Sequence, residues 1–324
     1  MATSRSWKPG PAIEGPFPAT REDIAGLNQV FSDAFTERYR RDGMAGVRVP
    51  FLNPVVWRYA IEDADAGALC WRAPNGEVAA FNMVHRSGTE GWMGPLAVRQ
   101  DFQGGGIGKE VVRHGVEWLK QCGATVIGLE TMPRTLDNIG FYSSQGFVPG
   151  RLTLTATLEA AHTPRPPRLF GRLSSAEKEH ALEECRLLLD RLMPGYDHTR
   201  EIALTDALAL GDTLLLRDGD ALVGFALCHT VPLVEGRVRE ELRVLKLALA
   251  DEGYLGEMIA TLRDFARRSG TRRVAIRVQG EYSRAYSQLI ALGARVRWSD
   301  LRMVLAGYEE PVPARGMVLS NWEI

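Results

Sequence analysis

A cluster of glycines in the first third of the chain constrains its fold more than any other feature. The cluster, residues 103–109, follows an apolar segment at 96–98 that predicts the end of a strand. Apolar residues recur at helical spacing over residues 107–122 and predict a helix there. Glycines at a helix N-terminus let unpaired backbone N–H groups approach a ligand, and the helix dipole favours negative charge. The segment therefore predicts a phosphate-binding loop after a strand.

The spacing of the loop excludes two common phosphate-binding motifs. A P-loop requires a Ser or Thr hydroxyl at the position where Glu110 stands. A dinucleotide-binding fingerprint requires a third glycine where Lys109 stands. The pattern that does fit is Gln/Arg-x-x-Gly-x-Gly/Ala, which Gln103, Gly106 and Gly108 supply.

This loop resembles the pyrophosphate-binding loop of the GNAT acyl-CoA-dependent N-acyltransferases. A second segment supports the resemblance, because Asn138, Tyr142, Gly146 and Phe147 are similar to the Asn, Tyr and Gly-Phe positions of that family. The segment follows another predicted strand at residues 124–129. The resemblance implies direct transfer of an acyl group from acyl-CoA to an amine, with acetyl-CoA as the expected donor and no metal.

The resemblance also implies roles for individual residues. Tyr142 would protonate the leaving thiolate, with packing against neighbouring aromatic residues as the alternative. Glu130, at the end of its strand, is the candidate general base, and His85, Glu90 or a water chain are the alternatives. Asn138 would contact the cofactor or the acceptor, unless it merely begins a helix. Cofactor binding would fall to Leu96, Ala97, Val98, Gln103, Gly104, Gly105, Gly106, Ile107, Gly108, Lys109 and Asn138.

Composition limits the other possibilities. A length of 324 residues favours two domains, and 45% hydrophobic with 24% charged residues is typical of a soluble globular protein. The formal net charge of −1 gives no sign of a nucleic-acid partner. Scattered cysteines predict free thiols, and histidines without a close pair predict no metal site. Without a membrane-spanning run or a signal-peptide pattern, we expect a cytoplasmic protein.

The chain divides into two similar halves. Residues 1–19 predict a mobile tail, 20–159 a catalytic domain, 160–171 a proline-containing linker and 172–324 a second domain. The predicted order of helices and strands recurs in the second half, which indicates two copies of one fold. The matched residues are Phe81 and Phe225, His85 and His229, Gly108 and Gly256, Gly123 and Gly270, and Gly146 and Gly293.

The predicted fold class is α/β, with two tandem GNAT-like domains, each a mixed, mostly antiparallel sheet flanked by helices. Such an arrangement resembles the tandem YitH-like bacterial acetyltransferases of this family. The second copy is predicted to be degenerate, because Asp251 and Glu252 stand where a pyrophosphate would bind. Leu289 also replaces the tyrosine that Tyr142 supplies in the first copy. We therefore expect one cofactor site, in the first half.

The sequence thus predicts an N-acetyltransferase that acts on a primary amine, of a small molecule, by direct attack in a ternary complex. Residues 43–66, which mix short helical signals with prolines, are expected to flank the acceptor site. One alternative is a non-catalytic acyl-CoA sensor or scaffold, which would not need Tyr142. A second alternative is a protein-lysine acetyltransferase with an open, acidic acceptor groove.

Overall fold

The first half begins with an edge strand and two helices. In the computed structural model, which describes residues 13–164 and 166–323, strand β1 (Glu14–Pro18) precedes helices α1 (Ile24–Arg41) and α2 (Pro54–Ala64). The predicted mobile tail therefore does not include residues 14–18, because they pair antiparallel with the next strand. Residues 1–12 of that predicted tail lie outside the described residues.

An antiparallel meander then leads to the glycine loop. Mostly buried residues form its strands, and the turn at Asn75 and Gly76 joins two of them. The elements are β2 (Ala68–Arg72), β3 (Val78–Ser87), β4 (Glu90–Val98), α3 (Ile107–Gln121), β5 (Val126–Thr131), α4 (Leu136–Ser143) and β6 (Phe147–Glu159).

The second half repeats this order after an extended connection. Gly123 and Gly270 end the corresponding helices with φ of +76° and +75°, a left-handed conformation that favours glycine. The predicted repeat is thus present in the backbone. Its elements are α5 (Ser175–Leu192), α6 (Thr199–Ala207), β7 (Gly211–Asp218), β8 (Ala221–His229), β9 (Glu241–Leu249), α7 (Leu255–Arg268), β10 (Arg273–Gln279), α8 (Ser283–Ala291), β11 (Arg295–Leu305) and β12 (Met317–Ser320).

The two halves exchange their long late strands. β11 of the second half lies between β5 and β6 of the first, and β6 lies between β11 and β10. The sheet therefore runs without a break in the order β1-β2-β3-β4-β5-β11-β6-β10-β9-β8-β7, with β12 paired to β9. The predicted fold class, two tandem repeats of a mixed sheet flanked by helices, is confirmed. The sequence did not predict that exchanged strands join the repeats into one sheet.

Apolar and charged side chains both cross the boundary between the halves. Trp92 of β4 and Trp322 after β12 belong to one buried cluster. Lys246 Nζ of β9 lies 3.6 Å from Glu90 Oε2 of β4, and both side chains are buried. Buried charges are tolerated only when they are paired, so each half depends on the other for its partner. Within the described ranges, no helix has the length and apolar character needed to cross a membrane.

Candidate active site

Two neighbouring parallel strands diverge beside the glycine loop. Residues 90–93 of β4 pair with residues 126–129 of β5, and the pairing stops there. At Gly94, where φ is +152°, β4 leaves its neighbour, while residues 96–98 keep their pairing with β3 on the other side. The edge of β4 that faces β5 therefore carries backbone groups available to an extended ligand.

The glycine loop closes one end of this gap. Helix α3 begins directly after Gly106, whose φ of +91° favours glycine. A Cβ on Gly104, Gly105 or Gly106 would meet no atom within 4 Å, so the loop presents open backbone. Gln103 Nε2 donates to the carbonyl of Val98 at 2.8 Å and ties the loop to the end of β4. The loop has the geometry of the predicted anion-binding site.

The gap opens into a cleft of about 870 Å³. Both predicted catalytic residues, Tyr142 and Glu130, line it. Gly105 and Ile107 are the two predicted cofactor residues that lie outside its lining, and Ile107 packs against the buried cluster that contains Phe102 and Val111. The predicted cofactor residues that do line the cleft are Leu96, Ala97, Val98, Gln103, Gly104, Gly106, Gly108, Lys109 and Asn138.

Tyr142 lies in the short helix α4 and is 7% exposed. Its ring packs edge-on against Phe141 and Phe147, at centroid distances of 5.1 and 6.1 Å. Burial raises the pKa of its phenol well above the usual range. The hydroxyl is therefore protonated at neutral pH, the state that a proton donor requires. Aromatic packing and a role as an acid are compatible here.

Glu130 is buried and forms ion pairs with two arginines, Arg277 and Arg302. Its Oε2 lies 2.7 Å from Arg277 Nη2, its Oε1 lies 3.1 Å from Arg302 Nη1, and the Thr153 hydroxyl also donates to it. Burial opposes its charge, but the two guanidinium groups lower its pKa below the usual value. A carboxylate paired in this way is a weak proton acceptor. Its environment therefore favours a structural role for Glu130 over the predicted role of general base.

The two alternative bases lie at the boundary between the halves, away from the cleft lining. His85 Nδ1 is 2.6 Å from Asp63 Oδ2 and has no exposed surface. Glu90 accepts hydrogen bonds from Trp322 Nε1 at 2.7 Å and from Ser320 Oγ at 2.8 Å. Each is held by buried partners, so the structure favours neither of them as the base.

Much of the cleft wall comes from residues that the sequence analysis missed. The predicted flanking segment 43–66 contributes Val49 and Leu52, whereas the second half contributes side chains from β11 and from the segment after β12. The exchanged strand β11 is what carries this wall into the first half. The missed residues are Tyr39, Leu233, Trp298, Asp300, Trp322 and Glu323.

The corresponding gap in the second half is filled. β9 and β10 pair over residues 241–243 and 273–275, and β12 then pairs with the remainder of β9, Leu319 opposite Leu247. Leu319 is 3% exposed, so β12 is part of the core. Asp251 stands in the turn that corresponds to the glycine loop of the first half. Its carboxylate accepts a hydrogen bond from the backbone N–H of Gly253 at 2.8 Å. In the second half, strand β12 therefore occupies the position that is open in the first half.

The first half matches a known protein family. Residues 28–147 match the model described as the acetyltransferase (GNAT) family. These residues are thus similar to a GNAT acetyltransferase domain, and the match supports acyl-CoA-dependent N-acyl transfer as the class of reaction. No curated protein matches the whole sequence significantly.

Solved structures extend the GNAT architecture to the whole chain. A proposed acetyltransferase of Pyrococcus horikoshii has a TM-score of 0.67 at 17% identity and covers 99% of this chain and 98% of its own. The N-myristoyltransferase of Saccharomyces cerevisiae, solved with bound myristoyl-CoA, has a TM-score of 0.61 at 10% identity, covering 95% and 86%. A tandem GNAT protein from the clavulanic acid biosynthesis pathway has a TM-score of 0.57 at 12% identity, covering 93% and 100%. At these identities the likeness establishes the fold.

Proposed function

We propose that the protein transfers an acetyl group from acetyl-CoA to the primary amine of a small molecule, by direct attack in a ternary complex. One observation carries the proposal. The free edge of β4, the glycine loop and a protonated Tyr142 line the same cleft, which has a volume of about 870 Å³. A single cleft of this kind can hold a donor and an acceptor side by side.

The residues of the cleft fit a CoA thioester. Backbone N–H groups of residues 104–106 at the start of α3 would bind the pyrophosphate. Lys109, on the first turn of that helix, would add a positive charge beside it. The unpaired edge of residues 96–98 would form hydrogen bonds with the amides of the pantetheine arm. When bound, the thioester supplies the activated acetyl group.

The chain supplies the remaining parts of the reaction. A backbone N–H on the free edge of β4 would stabilise negative charge on the carbonyl oxygen, a contribution that is commonly large. Tyr142 would donate its proton to the sulfur as the carbon–sulfur bond breaks. Asn138, whose Nδ2 lies 3.4 Å from Thr131 Oγ1, would position the cofactor beside Tyr142.

The enclosure of the cleft favours a small acceptor. Its walls come from helix α1, from α4, from β11 and from the segment after β12, so both halves surround the bound groups. An acceptor that binds in such a cleft buries most of its surface, which is typical of small-molecule sites.

Titration calorimetry with acetyl-CoA, followed by assays of thiol release, tests the proposal. We expect one acetyl-CoA per chain and release of CoA when a pool of small primary amines is added. Binding without release in the presence of any amine would support the sensor alternative. Release with lysine-containing proteins and not with small amines would support the protein-lysine alternative. Absence of binding would contradict all three.

A further inference from the structure

Three carboxyl groups from different elements meet around one guanidinium group beside the cleft. Arg277 of β10 places Nη2 2.7 Å from Glu130 Oε2 and 3.0 Å from Asp300 Oδ2. Its Nη1 lies 2.7 Å from Oε2 of Glu323, which follows β12. One positive charge therefore faces three carboxyl groups.

The other cations near Glu323, Arg302 and Arg243, offset part of this negative charge. Arg302, the second partner of Glu130, is shared with Glu310, whose Oε2 it approaches at 2.7 Å. Arg243 of β9 lowers the pKa of Glu323, and Asp300 of β11 raises it. Burial and the charge of Glu323 raise the pKa of Tyr39 of α1. A cation that enters the cleft would balance the remaining carboxylate charge.

Glu323 is the carboxyl group that a ligand can reach. Its side chain is 47% exposed and lines the cleft, whereas those of Asp300 and Glu130 are 3% and 1% exposed. Partial burial and the neighbouring carboxylates Asp300 and Glu130 raise the pKa of Glu323 above its usual value, against the opposing effect of Arg277. A proton acceptor is most effective when its pKa lies near the working pH.

The cleft also has apolar lining residues, although helix α1 contributes the charged Glu37, Arg38 and Arg41 as well. Phe31 and Phe35 of α1 and Leu233 from the second half line the cleft, and Trp298 lies on the same side as Asp300, to whose Oδ1 its Nε1 donates at 3.0 Å. Such a site combines an anionic end with an aromatic and aliphatic body. It fits an ammonium group carried on an apolar group.

We propose that Glu323, brought into the first half's cleft by the C-terminal segment of the second half, binds the acceptor ammonium group and takes its proton. The acceptor is then a positively charged primary amine with an apolar body. This inference rests on the proposed acetyl transfer and names the base and the substrate class for it.

The protons and bonds balance. The ammonium group gives one proton to the Glu323 carboxylate, which passes it to solvent, and the neutral nitrogen attacks the thioester carbonyl carbon. A carbon–nitrogen bond forms, the carbon–sulfur bond breaks, and the sulfur takes the proton of Tyr142. The second nitrogen proton returns through water to the Tyr142 oxygen. The products are the N-acetylamine, CoA thiol and one proton released.

The test compares wild type with Glu323→Gln, Glu323→Asp and the control Glu257→Gln, an exposed carboxyl on α7. Phenethylamine is the acceptor probe, and kcat/KM is measured by thiol release from pH 5.5 to 9.5. We expect Glu323→Gln to lose about 10²-fold or more in kcat/KM at pH 7, together with the rising limb near neutral pH. Glu323→Asp should recover part of the rate, and Glu257→Gln should follow wild type. Acetyl-CoA affinity should stay within twofold in all four proteins.

A binding measurement separates this inference from the proposed function. Tryptophan fluorescence, reporting from Trp298 and Trp322, is titrated with phenethylamine and with its neutral isostere 2-phenylethanol in the presence of CoA. We expect Glu323→Gln to weaken phenethylamine by about 10- to 100-fold, as for a lost charged hydrogen bond, and to leave 2-phenylethanol unchanged.

The two proposals fail in different ways. If wild type acetylates no primary amine but retains this charge-dependent binding difference, the proposed acetyl transfer is wrong and the ammonium site at Glu323 is supported. If phenethylamine binds wild type and Glu323→Gln equally, the inference is overturned whatever the turnover. A pH profile unchanged in Glu323→Gln overturns the role of Glu323 as the proton acceptor.

Discussion

The two halves of the chain share one architecture and differ in what lies between their diverging strands. In the first half β4 and β5 separate after residue 93 and leave an edge free. In the second half β9 and β10 separate after residue 243, and β12 occupies the gap. A free edge can bind any extended chain with regularly spaced amide groups. The same structural solution therefore serves either a ligand or the protein's own C-terminal segment.

The comparison also shows that the filled half contributes to the cleft of the first. β12 directs the chain toward the first half, where Trp322 and Glu323 line the cleft. The exchanged strand β11 adds Trp298 and Asp300 to the same wall. In the proposed reaction, the second half would therefore shape the acceptor side of the site, and the first half would bind the donor.

The largest expected effect is a loss of acetyl-CoA affinity on placing a carboxylate in the glycine loop, as Asp251 and Glu252 do in the corresponding turn of the second half. Gly106→Glu places a side chain at a φ of +91° and a carboxylate at the predicted pyrophosphate site. Backbone strain costs about 1–3 kcal/mol, and each lost charged hydrogen bond costs about 1.5–3 kcal/mol. We expect acetyl-CoA affinity to fall by more than about 10³-fold in calorimetry, since 1.4 kcal/mol corresponds to about tenfold.

The matched control places the same residue in the second half. Gly253→Glu lies in the exposed turn before α7 and should leave both affinity and stoichiometry unchanged. A loss of binding in Gly253→Glu, or two sites in wild type, would contradict the assignment of one cofactor site to the first half.

The next effect concerns Tyr142, which has no counterpart because Leu289 stands in its place. Tyr142→Phe removes the proposed proton donor and keeps the packing against Phe141 and Phe147. We expect kcat to fall by about 10²- to 10⁴-fold with acetyl-CoA affinity retained. Tyr286→Phe, on the corresponding helix α8, is the control and should keep its activity. Equal rates in wild type and Tyr142→Phe would exclude Tyr142 as the acid.

A smaller effect follows from β12 as a core strand. Leu319 is 3% exposed and lies in the hydrophobic core of the second half, beside β9. Its replacement by alanine should lower the free energy of unfolding by about 2–5 kcal/mol. Urea denaturation measures the loss, with the exposed Leu187→Ala of α5 expected to change stability by less than about 0.5 kcal/mol. If Leu319→Ala is as stable as Leu187→Ala, β12 does not fill the gap in solution.

The smallest effect is a pH dependence at the boundary between the halves. Glu201 of α6 is buried, and Ser87 of β3 donates to it. Burial, with the nearby Asp63 carboxylate, raises the pKa of Glu201 to about 8 from an ordinary value of 4.5. The stability that protonated Glu201 contributes is complete below the unfolded pKa and is lost as the pH rises toward 8.

We therefore expect Tm to fall by a few degrees between pH 5 and 8, since about 1 kcal/mol shifts Tm by about 2–4 °C in a protein of this size range. Glu201→Gln should reduce this slope, and the exposed Glu179→Gln should not. Glu310 and Glu323, whose pKa values are also raised, to about 7, titrate in the same direction, so part of the slope persists. If the dependence of Tm on pH is unchanged in Glu201→Gln, groups other than Glu201 cause it.

Local patterns in the sequence predicted the parts of the fold that depend on local physics. Helix α3 was predicted over residues 107–122 and spans Ile107–Gln121, because its apolar residues recur with helical period. The glycine loop was predicted because glycines before an amphipathic helix have few other uses. The local pattern predicted the loop, whereas Tyr142 was predicted from the resemblance to the acyltransferase family.

The contacts that cross between the halves could not be predicted in this way. No local pattern indicates that β11 pairs with β5, since the partner lies more than 150 residues away in the chain. Glu130 looked like a base because the sequence does not reveal Arg277 and Arg302, which lie beside it in the folded protein. Glu323 was missed because a residue near the end of a chain carries no periodicity to interpret.

The exchange of strands also leaves a strand edge exposed while the chain is being made. β5 has no neighbour on its far side until β11, more than 150 residues later in the chain, is synthesised. Because the N-terminal part of a chain emerges from the ribosome first, the first half keeps an unpaired strand edge until β11 follows. A product that terminates before β11 would retain that exposed edge and would lack the part of the cleft wall that carries Trp298 and Asp300.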